Sequence, residues 1–257
     1  MPPAVLYVPP FDRGRSFDLY NSEIKQRAAA YEQAYRIYQG VYPKQLSIKE
    51  GEPDDNVTIN LFKQVVDRTS AFLFPSLPKM EVTSDPADLI YLETWLNEVW
   101  KYNNGVSLLH EIAMAGALSG HVYVRILQAN PGVNRIYPQL LVLNPGSVIT
   151  YWREDNIKEV LWHEIRWSVG KTDYILDVVN NTELKRWDLY QYALAGSSWD
   201  LVSTEVWASS YGPIVDWKHL PSVGSFYGQS EASNLGLNFK LNLVASEISR
   251  ILRYYAS

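Results

Sequence analysis

At Gly120 the spacing of apolar residues changes, and that change constrains the fold more than any other feature of the chain. Before it, apolar residues recur every three or four positions, the period of a helix with one face turned inward. After it they alternate, the period of a strand. Helices first and strands after argue against βαβ units and predict an α+β fold with antiparallel strands.

The helical half divides at its breakers. Ser16 to about Gln39 carries Tyr20, Ile24, Ala28, Tyr31, Ala34, Tyr35 and Tyr38 at helical spacing, and Gly40 is placed to end it. After the polar loop KEGEPDDN (49–56), Val57–Phe74 reads as a second helix with Ile59, Phe62, Val65, Val66, Thr69, Phe72 and Leu73 on one side, broken by Pro75 and Pro78. KMEVTS (79–84) predicts a short strand, and Asp85 a cap for a third helix with Pro86 in its first turn. That helix shows Leu89, Leu92, Trp95, Leu96 and Val99 in period. The fourth, VSLLHEIAMAGALSG (106–120), is rich in small residues that permit close backbone packing.

Beyond Gly120, HVYVRILQ, YPQLLVLN, SVITYWRE, KEVLWHEIRWSVG, TDYILDVVN, KRWDLYQYAL and WDLVSTEVWA read as one antiparallel meander, punctuated at Asn144-Pro145-Gly146, Glu154-Asp155-Asn156 and Asn180-Asn181. Apolar residues make up 47% of the 257, enough for a sizeable core. The net charge of −5 makes the chain a poor candidate for gripping a phosphate backbone, without excluding one past which DNA slides. With no cysteine, disulfides and thiolate metal sites are excluded. The start, MPPAVLYVPPFDRGR, lacks the features of a signal peptide and reads as an extended arm. No run approaches the ~18 apolar residues of a membrane span, so no membrane partner is expected.

Catalytic motifs fail on spacing. Val169-Gly170-Lys171-Thr172 has Ile165 where a phosphate-binding loop needs glycine. His110-Glu111 and His163-Glu164 lack the second histidine of a zinc site. Gly228-Gln229-Ser230-Glu231-Ala232 misses the last glycine of a nucleophile elbow, and its serine is placed to cap a helix. An enzyme would need carboxylates such as Glu164 and Asp216 to converge in a cleft, and a sugar-binding module would need Trp and Tyr rings exposed on one sheet face. No catalytic, cofactor or metal residue is assigned.

The last helix-like run, Ser230–Ala256, carries two apolar stripes. Leu237, Leu241, Val244, Ile248, Ile251 and Tyr255 form one seam, and Leu235, Phe239 and Leu243 the other. Asn234, Asn238, Asn242, Ser246, Ser249, Arg250 and Arg253 lie between them. Such a helix needs neighbours on two sides. Either it wedges between elements of its own domain, or identical helices stand side by side in a ring with the polar strip toward solvent or lumen. It stops at Ser257 without a cap, as in a chain cut short.

In order along the chain, YEQAYRIYQG (31–40), NVTINLFKQVVDRTSAFLFPSLPKMEV (56–82), LETWLNEVWKYNN (92–104) with HEIAMAGALSGHVYVRI (110–126), LLVLNPGSVITYW (140–152) and GPIVDWKH…GQSEASNLGLNFKLNLVASEI (212–248) resemble the portal proteins of tailed bacteriophages, the siphovirus type in particular. The resemblance implies an extended N-terminal arm (1–15), an α+β wing (16–229) and a stem helix (230–257), the N-terminal portion of a longer protein that continues into clip, tunnel loop and crown. It also implies a ring, usually of twelve subunits, at a capsid vertex of the virion, made in the host cytoplasm. Double-stranded DNA would pass through it non-specifically during packaging and ejection. The partners would be the major capsid protein, head–tail adaptor proteins and, during packaging, the terminase, which hydrolyses the ATP. On that reading Leu237, Leu241, Val244, Ile248 and Ile251 face a neighbouring subunit, and Asn238, Asn242, Arg250 and Arg253 approach the channel. A different head–tail adaptor or tail protein is the alternative.

Overall fold

The computed structural model describes residues 17–256 apart from 80, 82–85, 131, 133–135, 154 and 197. The expected N-terminal arm, the Asp85 cap and most of the KMEVTS strand lie outside the described residues. Four helices come first, α1 (Phe17–Tyr38), α2 (Leu61–Leu73), α3 (Pro86–Tyr102) and α4 (Gly105–Ser119). Gly40 and Gly120 end α1 and α4 with φ of +92° and +79°, a left-handed conformation that costs glycine little. The second helix starts four residues later than its apolar pattern predicts. Asn60 caps it by accepting from the Lys63 N–H, and residues 57–60 are neither helix nor strand.

Strands follow: β1 (His121–Leu127), β2 (Gln139–Leu143), β3 (Val148–Arg153), β4 (Asn156–Val169), β5 (Thr172–Asn181), β6 (Arg186–Ala195), β7 (Ser198–Trp207) and β8 (Ile214–Lys218). They do not make the single meander expected from the sequence. Only β3 to β7 do so, as a five-stranded sheet, while β8 returns to pair with β1 in a separate sheet of order β2-β1-β8. The physical reason is the core. Tyr123 on β1 and Ile214 on β8 pack with Val148, Ile165, Leu176, Val178, Trp187 and Leu189 from the inner face of the larger sheet. Alternation reveals which face of a strand is apolar, but not which neighbour covers it.

A buried polar chain crosses this joint. The Tyr123 hydroxyl lies 3.0 Å from Thr150 Oγ1, which lies 2.9 Å from His163 Nδ1. Burial pulls the His163 pKa down to about 4, with Asp216 opposing and His121 reinforcing the shift. The helices form their own core from Ile37, Phe62, Val66, Ala117, Leu118 and Leu235. As the small residues of α4 predicted, neighbours come close: a Cβ on Gly116 would sit 3.1 Å from His219 Nδ1.

Several aromatic rings of the larger sheet are covered by other rings. Tyr151 stacks on Trp162 at 3.9 Å, Trp152 on Phe226 at 4.7 Å and Trp167 on Tyr174 at 5.5 Å, and both Trp162 and Trp187 are buried. Rings stacked in this way offer no open platform for a sugar.

Candidate assembly surface

The last helix is reached through a turn bolted to the end of α4. Gly228 passes so close to Gly120 that a Cβ on it would fall 2.3 Å from the Gly120 carbonyl oxygen, and a Cβ on Gly120 would fall 2.5 Å from the Gln229 carbonyl carbon. Both glycines are needed for that crossing. Ser230 Oγ accepts from the Ala232 N–H and lies within hydrogen-bond distance of the Ala117 and Leu118 carbonyls, so one hydroxyl starts one helix and closes another. A single 3-10 turn, Glu231–Asn234, intervenes before the α-helix begins. This helix, α5 (Leu235–Ala256), is therefore five residues shorter at its start than the sequence suggests, about 33 Å at ~1.5 Å per residue.

Its inward face is polar. Asn238, Asn242 and Ser246 are buried, the last two almost completely. Ser246 Oγ accepts from the Val57 N–H at 2.9 Å and Asn242 Oδ1 from the Ile59 N–H at 3.0 Å. Asn238 Oδ1 accepts from Leu61 at 3.0 Å and Phe62 at 3.2 Å, while its Nδ2 donates to the Ile59 carbonyl at 2.9 Å. The match is geometric. Every fourth residue of a helix advances ~6 Å, and every second residue of an extended chain advances ~6.6 Å. The three rungs therefore stay in step while the chains run in opposite directions. Residues 57–60 stay out of the helix because a helix there would turn alternate amides away from these acceptors.

The ladder continues beyond the buried rungs. Arg253 grips the buried Asp55 carboxylate through Nη2 at 2.6 Å and Nε at 3.1 Å, and Arg250 Nη2 donates to the Ser47 carbonyl at 3.2 Å. Contact with Asp55 raises the Arg253 pKa further above its ordinary value. Asn56 secures the same segment by accepting from the Gln45 and Leu46 N–H groups and donating to the Leu46 carbonyl.

This arrangement corrects the expectation that Asn238 and Asn242 face a channel. They face the chain's own backbone, because unpaired buried amides need partners and these two residues supply them. Arg250 and Arg253 sit at the margin of the same face, half-buried. The second apolar stripe is also covered from within: Leu235 is in the helical core, Phe239 meets Tyr42 edge-on at 6.0 Å, and Leu243 is half-buried.

The first stripe is bare. Leu237 is 78% exposed, Val244, Ile248 and Ile251 are about half exposed, and Leu241 is 37% exposed. Leu252, Tyr254 and Tyr255 widen the patch toward the end of the helix. A contiguous apolar row of this kind, rimmed by polar residues, is a candidate contact surface.

The carboxylates and histidines raised by the sequence do not gather there. Glu164 pairs with Arg166 on β4 and Asp216 with His121 across the smaller sheet. His110, His163 and His219 contact the Phe74 carbonyl, Thr150 and Glu231 respectively. Among the described residues no helix is long and apolar enough to cross a membrane.

The sequence pattern of the family described as phage portal protein, SPP1 Gp6-like, matches residues 18–215. The chain belongs to the phage portal protein family. No characterised protein matches it individually. Membership gives the chain a portal role in a bacteriophage, and the match runs from the start of α1 into β8. The α5 helix and its bare row lie past the matched stretch, so their role rests on their own geometry.

Proposed function

We propose that this portal chain is one wall segment of a ring at a capsid vertex through which double-stranded DNA is packaged and later ejected. Residues 16–229 serve as the wing and 230–257 as the first stem helix. The ring, of about a dozen subunits by family resemblance, docks the terminase during packaging and the head–tail connector afterwards, and seats against the major capsid protein. Leu237, Leu241, Val244, Ile248 and Ile251 meet the neighbouring subunit. Arg250 and Arg253, the two charged residues of the polar strip with partial exposure, are the candidates that remain for approaching the channel.

One observation carries the reading. The helix buries its asparagines and leaves its aliphatic row uncovered. The asparagine ladder holds the helix in that orientation, but a monomer forgoes the burial of the aliphatic row, where each buried side chain stabilises by about 1.5–3 kcal/mol. A ring supplies the missing cover with further copies of the same surface. Mass measurement on native particles tests it. The unmodified protein is expected to populate a closed ring and Leu241→Asp/Ile248→Asp to lose it while remaining folded. A ring that tolerates both aspartates would overturn the proposal.

A further inference from the structure

The five-stranded sheet treats its two edges differently. At one edge, β3 is covered: Val148, Ile149 and Thr150 are buried, Arg27 donates to the Val148 carbonyl at 3.2 Å, and Phe226 stacks on Trp152. At the other, every residue of β7 from Asp200 to Val206 is exposed, and no strand among the described residues pairs with its outer side. A row of free N–H and C=O groups on a ten-residue strand is a template for another strand. Natural edges are guarded by lysine, proline, bulges or inward-pointing charges, and β7 has no lysine or proline but carries a bulge at Val202 and the inner-face Glu205, so access to it is selective.

The register divides this edge. Gln191 pairs with Ser203 and Tyr192 with Leu201, so Val202 is an extra residue that interrupts the strand. Ser203–Trp207 is the longer regular stretch that reaches the open end. Opposite Gln191, Leu189 and Trp187, the residues Ser203, Glu205 and Trp207 share the inner face, while Thr204 and Val206 share the outer one. Beside it runs a groove of about 420 Å³ lined by Arg125, Leu127 and Gln128 on one wall, Glu205 and Trp207 on the other, and Pro213. A strand laid on the edge would hydrogen-bond through its backbone and drop alternate side chains into this groove.

The charges select the occupant. Two copies of β7 paired antiparallel over Ser203–Trp207 would set Glu205 opposite Glu205. Full overlap of the ten residues would set Asp200 opposite Glu205. Like charges directly opposite each other destabilise a strand pair, so the edge disfavours its own copy. We propose that β7, from Ser203 to Trp207, accepts an extended segment of a different protein as an added strand, with a lysine or arginine of that segment seated over Glu205.

The test uses the full chain and two ten-residue peptides of alternating valine and threonine, one with a central lysine and the other with glutamate in its place. Amide exchange should slow at residues 203–207 with the lysine peptide. The glutamate peptide should bind about two- to fivefold more weakly than the lysine peptide, and Glu205→Gln should erase that difference. Methylating alternate backbone nitrogens of the lysine peptide should abolish binding. Equal binding of the two peptides, protection elsewhere on the protein, or unimpaired binding of the methylated peptide would each overturn the proposal.

Discussion

The two faces of α5 reverse the usual arrangement of a surface helix. The inward face is built from Asn238, Asn242 and Ser246, and the outward face from Leu237, Leu241, Val244 and Ile248. The difference lies in what each face meets. A strap of extended backbone offers hydrogen-bonding groups, so burial favours side-chain amides that satisfy them. The aliphatic row meets nothing in its own chain. A polar residue in a helix is therefore not by that fact a solvent residue, and its environment follows from the chemistry of the neighbouring segment.

Four experiments sharpen or break this comparison. The largest effect is expected away from the helix, at the buried His163. The folded-state pKa of His163, about 4, lies below its ordinary 6.5. Its contribution is fully present above pH 6.5, falls as the unfolded chain takes up the proton, and levels off near pH 4, a loss of roughly 3 kcal/mol. Denaturant unfolding from pH 7.5 to 4 checks this, and His163→Gln should flatten that slope. The protection of the Val57, Ile59 and Leu61 amides, with the intrinsic pH dependence of exchange divided out, should change less with pH than that of the sheet, because no titrating side chain accepts from them.

Asn238→Ala should come next, costing about 2–3 kcal/mol by leaving the Leu61 and Phe62 amides without acceptors. Unfolding of the variant beside wild type at pH 7.5 is the measurement, and a loss below 0.5 kcal/mol would show that the strap does not depend on the ladder. Arg253→Gln should destabilise less than Asn238→Ala, since its pair with Asp55 is partly open to water. Raising the salt concentration should shrink the effect of Arg253→Gln. Smallest of all is the outward face: Leu241→Ser should change the unfolding free energy of the isolated chain by no more than about 0.5 kcal/mol. A monomer destabilised by several kcal/mol would mean that the row is covered within the chain.

Much of the fold was legible because periodicity reports local burial. α1, α3 and α4 and the strands fall close to where Gly40, Pro86, Gly120 and the alternating runs put them. The start of α2 was misplaced because Val57 and Ile59 fit a helical stripe, and only the distant Ser246 and Asn242 reveal that their amides are needed in extended form. The candidate surface was half legible. The aliphatic row could be picked out by spacing, whereas the direction of the asparagines could not. The repeat of Asn, Asn and Ser at every fourth position was the available signal, since side-chain amides are weak helix formers and such a row suggests a partner.

By itself the sequence determined the order of helices and strands, the glycine-terminated helix ends and the existence of an aliphatic seam on the last helix, since each depends on residues close together in the chain. The tertiary structure alone decided that the strands divide into two sheets, that an extended strap lies along the asparagines, and that the aliphatic seam is left outside. Those outcomes depend on which distant surfaces meet, and spacing along a chain does not encode that.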